Sequence, residues 1–267
     1  MSNMTLPKTQ NCILELKNSW LTIWLNRPEK RNALSENLIE EIKRTLKSIK
    51  DNRSIRGIIF RGKGGVFCAG ADLNDLKKIA NSGNESRDLA LKMSKKVGEL
   101  FELISKTPQI TVSVVEGAAM AGAFGIACTT DFLISMSHAK YALTETKIGL
   151  TPAQIAPYVL NRFGFRQGRK LLLMGTVFDG DKGYQMGMVD YLAENDEELN
   201  KHIMTIKEKV EKCSPNAIAI TKEVLFSNYN INVTKAAEYF SDCVMHEEGR
   251  EGFSSFFEKR KPSWMND

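Results

Sequence analysis

The chain has 267 residues, of which 42% are hydrophobic and 26% charged, and its formal net charge is +5. That length allows one large domain, or a core domain with an appendage, built on a sizeable core, and the composition is that of an ordinary soluble globular protein. No apolar run reaches the roughly 18 residues of a membrane span, and the charge permits an anionic partner without selecting nucleic acid, a phosphorylated cofactor or plain solubility.

The opening MSNMTLPKTQ has no continuous apolar stretch and no cleavage site, and it is not Arg/Ser-rich, so neither a secretory signal nor an organellar transit peptide is expected. Cys12, Cys68, Cys128, Cys213 and Cys243 are odd in number and widely spaced. That pattern suits reduced thiols better than a disulfide framework, and the expected address is cytoplasmic.

In chain order, residues 12–16 and 20–25 read as two strands around a KNS turn, an opening hairpin. NRPEKRNALS follows as a loop with Ser35 as helix N-cap, and Leu38, Ile42, Leu46 and Ile49 then recur at helical spacing. Lys43, Lys47 and Lys50 lie on the other face and read as a solvated helix surface rather than a nucleic-acid footprint. RGIIFR (56–61) is a buried-strand candidate before the turn GKGG. Residues 73–103 read as helix interrupted by polar NSGNES. Strands are expected at 110–115, 132–135 and 189–192, with helices at 153–162 and 166–174. Beyond Glu194 the patterns are helical, through KHIMTIKEKVEK, NAIAITKEVLF and VTKAAEYFSDCVM. Strands alternating with helices and then a helical tail predict an α/β core over 1–196 and an α-helical region over 197–267.

Several chemistries lack their signatures. There is no GxxxxGK[ST], no strand–GxGxxG–helix and no GxSxG. His138, His202 and His246 are isolated, and no CxxC or HExxH is present, so no metal is expected. Two segments rich in small residues remain: GVFCAGADL (65–73) and VEGAAMAGAFGIACTTDF (115–132). Each follows a strand and leads into a helix, where the first N–H groups lack internal acceptors and small side chains let a ligand approach the backbone. Alone, either segment reads rather as tight helix–strand packing. Facing one point, two such segments would stabilise a developing oxyanion.

Residues 65–73, 110–132 and 139–164, with LNRPEKRNALS and the terminal FFEKRKP, together resemble the crotonase (enoyl-CoA hydratase/isomerase) superfamily over nearly the whole chain. The resemblance implies an α/β fold, a crotonase-like spiral of ββα units with a helical C-terminal trimerisation region. It also implies self-association as a homotrimer or a dimer of trimers. The substrate would be an acyl-CoA thioester, with no cofactor beyond the coenzyme A that the substrate carries. By the family pattern the oxyanion donors fall on the backbone N–H groups of Ala71 and Gly122, and the catalytic glutamate falls on Glu145. Arg27 and Lys30 match the part of the family that meets the CoA phosphates or ribose, and Ala69, Asp72 and Leu73 the adenine side. Phe256 and Lys259 match an element that reaches a CoA on a neighbouring subunit. Asp131 matches a family aspartate read as structural.

Many hydratases of the family carry a second glutamate where this chain has Gly125. With one carboxylate left, an isomerase that shuttles a proton on Glu145 alone, a hydratase that uses Glu145 for both proton steps, and a weakly active CoA-ester binder stay open. AFGIACTTD, IGLTPAQIAPYVLNRFG, CSPNAIAITK and EKRKPSW look most like the bacterial methylglutaconyl-CoA and isohexenylglutaconyl-CoA hydratase branch, which also places Gly there. That resemblance favours a hydratase, with a branched glutaconyl-type substrate of leucine or acyclic terpene degradation. RNA binding, known in a relative, is an alternative of another class that the basic helix face motivates weakly.

Overall fold

The computed structural model describes residues 5–227 and 231–265, so the first four residues of the opening stretch lie outside it. The chain starts with the antiparallel hairpin of β1 (Cys12–Lys17) and β2 (Trp20–Leu25), turned through Asn18 and Ser19 at φ 48° and 61°. Two successive left-handed residues give the turn the twist that two-residue hairpins need. Ser35 caps α1 (Glu36–Ile49), its hydroxyl accepting from the Leu38 N–H at 3.3 Å. Leu38, Ile42, Leu46 and Ile49 are at most 1% exposed, and burying each contributes about 1.5–3 kcal/mol.

β3 (Gly57–Gly62) opens with an apolar run, Gly57 to Phe60, that is buried on both faces, as parallel strands are. The ring of Trp20 lies so close over Gly57 that a Cβ there would stand 2.1 Å from it. The predicted interrupted helix is α2 (Leu73–Ala80) and α3 (Ser86–Ser105), parted by a 3-10 turn at Gly83–Glu85. α3 packs on α1, and this corrects the expected solvated lysine face. Lys43 is only 9% exposed and bonds Glu99 at 2.8 Å and Glu40 at 3.3 Å, while Lys47 and Lys50 stay exposed.

The rest of the core is three turns of one pattern. β4 (Ile110–Val115) is followed by β5 (Ala118–Met120) and α4 (Gly122–Thr129); β6 (Phe132–Met136) is followed by β7 (Lys140–Ala142) and α5 (Ala156–Met174). β3 makes the first turn, with Cys68 bridged to Ala119 in place of a full second strand. β8 (Val177–Asp179), α6 (Gly180–Gln185) and β9 (Tyr191–Ala193) complete it. One sheet has the order β1-β2-β3-β4-β6-β9, parallel after the first hairpin, and a smaller one the order β5-β7-β8. The strand expected at 189–192 starts two residues later, because the Met188 and Val189 amides are spent on Gly183 O in the turn after α6. The two helices expected at 153–162 and 166–174 form one span bent at Gly164, φ 68°.

α7 (Asp196–Glu211) begins where the helical region was expected, yet it buries Leu199, Ile203, Ile206 and Val210 in the core. α8 (Pro215–Phe226), α9 (Val233–Met245) and α10 (Glu247–Phe257) follow. Two buried cations fasten this end to the sheet. Arg56 donates to Val210 O at 2.8 Å, Cys213 O at 2.5 Å and Trp264 O at 3.2 Å. Lys222 donates to Gln109 O at 2.9 Å and Asp131 Oδ2 at 2.5 Å. Asp131 also accepts from the Thr111 N–H and hydroxyl, as a structural aspartate should. Among the described residues no helix is long and apolar enough to cross a membrane.

Candidate active site

Two segments leave the large sheet side by side, 65–71 after β3 and 117–122 after β4. The Cys68 N–H donates to Ala118 O at 2.9 Å, and the Met120 N–H to Cys68 O at 3.1 Å. Glycine permits that approach: a Cβ on Gly117 would stand 2.0 Å from Gly65 O, and one on Gly70 2.9 Å from Met120 O.

Ala71 sits at the end of the first segment, bridged to Leu34 in parallel register. The bonds run from the Leu34 N–H to Gly70 O at 2.8 Å and from the Asp72 N–H to Leu34 O at 3.2 Å. The Ala71 N–H therefore points away from Leu34 and has no protein acceptor among the described residues. Gly122 opens α4, where the first amides have no intrahelical acceptor. Ala121 turns the chain there at φ 49° and ψ −119°, a conformation that costs an L residue about 1–3 kcal/mol and gathers at functional sites. The Ala121 N–H is held by Ala142 O at 2.8 Å, while that of Gly122 has no protein acceptor among the described residues. Leu34 connects the two amides: it is bridged to Ala71, and its Cδ1 lies 3.1 Å from where a Gly122 Cβ would be.

Glu145 is brought to the same end of the small sheet. β7 pairs in parallel with β5, Met120 opposite Ala142, and three residues later Glu145 opens a 3-10 turn closed by Gly149 at φ 78°. Its Oε2 is buried with no hydrogen-bond partner among the described residues. Burial pushes the carboxyl above the ordinary carboxylate range. A shielded carboxyl with nothing to neutralise it is suited to exchanging a proton with a ligand. Cys68, between the two segments, is no rival nucleophile, since burial pushes its thiol up to about 12.

The other expected contacts divide. Arg27 and Asp72 bond each other at 2.9 Å, with side chains 16% and 7% exposed, and Arg27 also donates to Ala33 O at 2.6 Å. Asp72 caps α2 by accepting from the Asn74 N–H at 2.9 Å. The pair thus ties the first loop to the Ala71 segment. Lys30 ends an exposed 3-10 turn, Leu73 is 70% exposed, and the Ala69 N–H is held by Arg31 O at 3.0 Å. Phe256 and Lys259 lie apart, at the end of α10, with Phe256 77% exposed and edge-on to Phe257. Sequence reasoning missed Asn32. At φ 55° and fully buried, it accepts from the Arg27 N–H at 2.8 Å and donates to Lys63 O at 2.8 Å and Val66 O at 2.7 Å. A polar residue between Arg31 and Ala33 in a loop gives no local sign of burial.

Gly125 has a packing reason. A Cβ there would stand 2.4 Å from Cζ of Phe101, whose ring is fully buried and edge-on to Tyr158 at 5.9 Å. The direction in which a second carboxylate would project is filled by an aromatic ring. Gly125→Ala is expected to destabilise the fold by about 1–3 kcal/mol, the usual cost of overpacking, and Gly125→Ala with Phe101→Leu to recover most of it in urea unfolding. Equal stability of Gly125→Ala and the parent would contradict the close fit. Among the described residues no group of three His, Cys, Asp or Glu could hold a metal ion.

A mixed α/β spiral with two backbone amides unbonded among the described residues and a half-buried glutamate defines the class as crotonase-like. The chain belongs to the enoyl-CoA hydratase/isomerase family, whose model matches residues 15–267. It is 36% identical to AtuE of Pseudomonas aeruginosa, a solved structure that it matches at a TM-score of 0.90 over 96% of this chain and 100% of that one. An enoyl-CoA hydratase/isomerase from Marinobacter aquaeolei is 34% identical at a TM-score of 0.90, over 96% and 99%. The crotonyl-CoA hydratase of Syntrophomonas wolfei is 27% identical over 263 residues, 96% of this chain and 98% of its own. Family membership implies an acyl-CoA substrate and chemistry of the enoyl-CoA hydratase/isomerase kind.

Proposed function

We propose that the protein is an enoyl-CoA hydratase that adds water reversibly across the 2,3-double bond of an acyl-CoA. The observation that carries this reading is Glu145, whose buried Oε2 has no protein partner among the described residues and which leaves the same end of the small sheet as Gly122, where the Ala71 and Gly122 amides also find no acceptor among those residues. In the proposed reaction the thioester oxygen is held by the N–H groups of Ala71 and Gly122. The Glu145 carboxylate takes a proton from water as its oxygen bonds to C3, and the π electrons move toward the thioester oxygen. Protonated Glu145 then returns the proton to C2 as the enolate collapses. One residue on one face serves both steps, so the addition is syn. Each oxyanion donor is worth about two to three powers of ten in rate. No cofactor takes part beyond the coenzyme A of the substrate.

The resemblance to the glutaconyl-CoA hydratase branch supports a branched substrate with a second carboxylate. Exposed Phe240, Phe253, Phe256 and Phe257 on α9 and α10 support self-association through this region as a trimer or a dimer of trimers. The second reading is a Δ3,Δ2-enoyl-CoA isomerase, favoured by Phe101 filling the place of a second carboxylate. A panel of acyl-CoA esters that includes 3-methylglutaconyl-CoA, analysed by product mass, separates the two. A gain of one water on a 2-enoyl-CoA is the expected result. Conversion of a 3-enoyl-CoA without mass change, and no hydration, would replace hydratase by isomerase. Binding without turnover of either would overturn both.

A further inference from the structure

The registered pairing of β3 with β4 runs from Gly57 opposite Ile110 to Phe60 opposite Ser113. Pairing between the same two stretches of chain resumes only at Cys68 opposite Ala119, where the Ala71 and Gly122 segments run together. Arg61 and Glu116 stand in the gap. Arg61 Nη2 donates to Glu116 Oε1 at 2.7 Å and Nε to Oε2 at 3.1 Å, a fork on both oxygens. The side chains are 18% and 23% exposed. The Trp24 ring covers the guanidinium at 4.6 Å from Cζ to centroid, and is itself held by its Nε1–H donating to Glu15 at 2.8 Å. Immediately beyond the pair, Gly117 closes on the carbonyl oxygen of Gly65.

An exposed ion pair at a loop base adds little to stability and needs no functional account. This one is two-pronged, largely shielded and stacked on an aromatic face, features that give geometric definition as well as energy. It is placed where the β3–β4 ladder is interrupted, before backbone bonds at Cys68 join again the two segments that each end in an amide of the site. Asn32 and the Arg27–Asp72 pair tie the first segment to the 27–34 loop. In the gap between the two ladders, Arg61 and Glu116 join the two segments to each other by side chains.

We infer that Arg61 and Glu116 form a positioning pair that braces the base of the two segments and holds in place the Cys68–Ala119 bridge through which they keep the Ala71 and Gly122 amides apart, and so tunes the polarisation of the bound thioester. The inference rests on the oxyanion role proposed above. It is tested with Glu116→Gln and Arg61→Lys, each of which keeps the bulk of its side chain but loses the charged fork. Two readouts are needed: kcat against KM, and the red shift in absorbance of a bound aryl-acrylyl-CoA, whose carbonyl polarisation reports the amides without turnover. The expected result is a fall in kcat of about ten- to a hundredfold, the scale of a misplacement of about 1 Å. KM and the urea midpoint should stay close to those of the parent, and the red shift should shrink. A full red shift and unchanged kcat in both variants would overturn the positioning role. So would a lowered urea midpoint with unchanged kcat per folded molecule. No red shift in the parent protein would instead overturn the oxyanion reading, and Glu145→Gln, which leaves both amides in place, should retain the shift.

Discussion

Glu145→Gln is expected to lower turnover of the preferred enoyl-CoA by about a thousandfold or more while CoA-ester binding stays largely intact, because in the proposed reaction one residue serves both proton steps. The pH dependence gives a second signature. Burial places the folded-state pKa above the ordinary value of 4.5, so the native chain holds this proton more tightly than the unfolded chain does. The contribution to stability is fully present below the unfolded value and is lost as pH rises through the raised folded value. Activity has the opposite sign: kcat/KM rises with pH through the same raised value, because the ionised base is required to take the proton from water. Gln removes both dependences. The variant should therefore unfold in urea at pH 8 no earlier than the parent, while nearly inactive. A variant that loses stability in step with activity would make Glu145 a fold residue and defeat the catalytic role.

Lys222→Met is expected to have the largest effect on stability. Its side chain is 5% exposed, and burial lowers its pKa against the opposing pull of Asp131. The charged pair is therefore a costly way to join α8 to β4 and β6. Taking away one partner is costlier still, about 3–5 kcal/mol, since it strands the other charge in a poorly solvated place. The lower end is expected here, because Asp131 keeps the Thr111 N–H and hydroxyl and remains 19% exposed. Lys222→Met with Asp131→Asn should recover much of the loss in urea unfolding. A single variant as stable as the parent would show that the joint carries no load.

Much of this was legible in order along the chain. The capped, strictly periodic α1 and the β-branched β3, β4 and β6 were read within a residue or two, because each buries a face long enough to impose its own period on the sequence. β5, β7 and β8 were not. Three residues each, they hold too few side chains to show alternation, and they exist because the neighbouring strand offers a ladder. The same limit hid Lys43, whose solvated appearance on α1 is undone by the later arrival of α3.

The site divides along the same line. Glu145, Ala71 and Gly122 could be named from the sequence through its resemblance to the crotonase family; residue type by itself showed only a carboxylate and two runs of small residues. Sequence alone also determined that any oxyanion donors would be backbone groups, because the segments hold almost nothing else. Only the tertiary structure decided that the Ala71 and Gly122 amides and the buried Glu145 Oε2 find no partner among the described residues, and that Arg27 and Asp72 bond each other. It also decided that Phe101 fills the space beside Gly125. Each of these is a relation between groups distant in the chain: whether a donor finds an acceptor, or a carboxyl a counter-charge, depends on which segments the sheet register brings together. Local sequence carries the groups; their protonation, pairing and free valences follow from what the fold sets beside them.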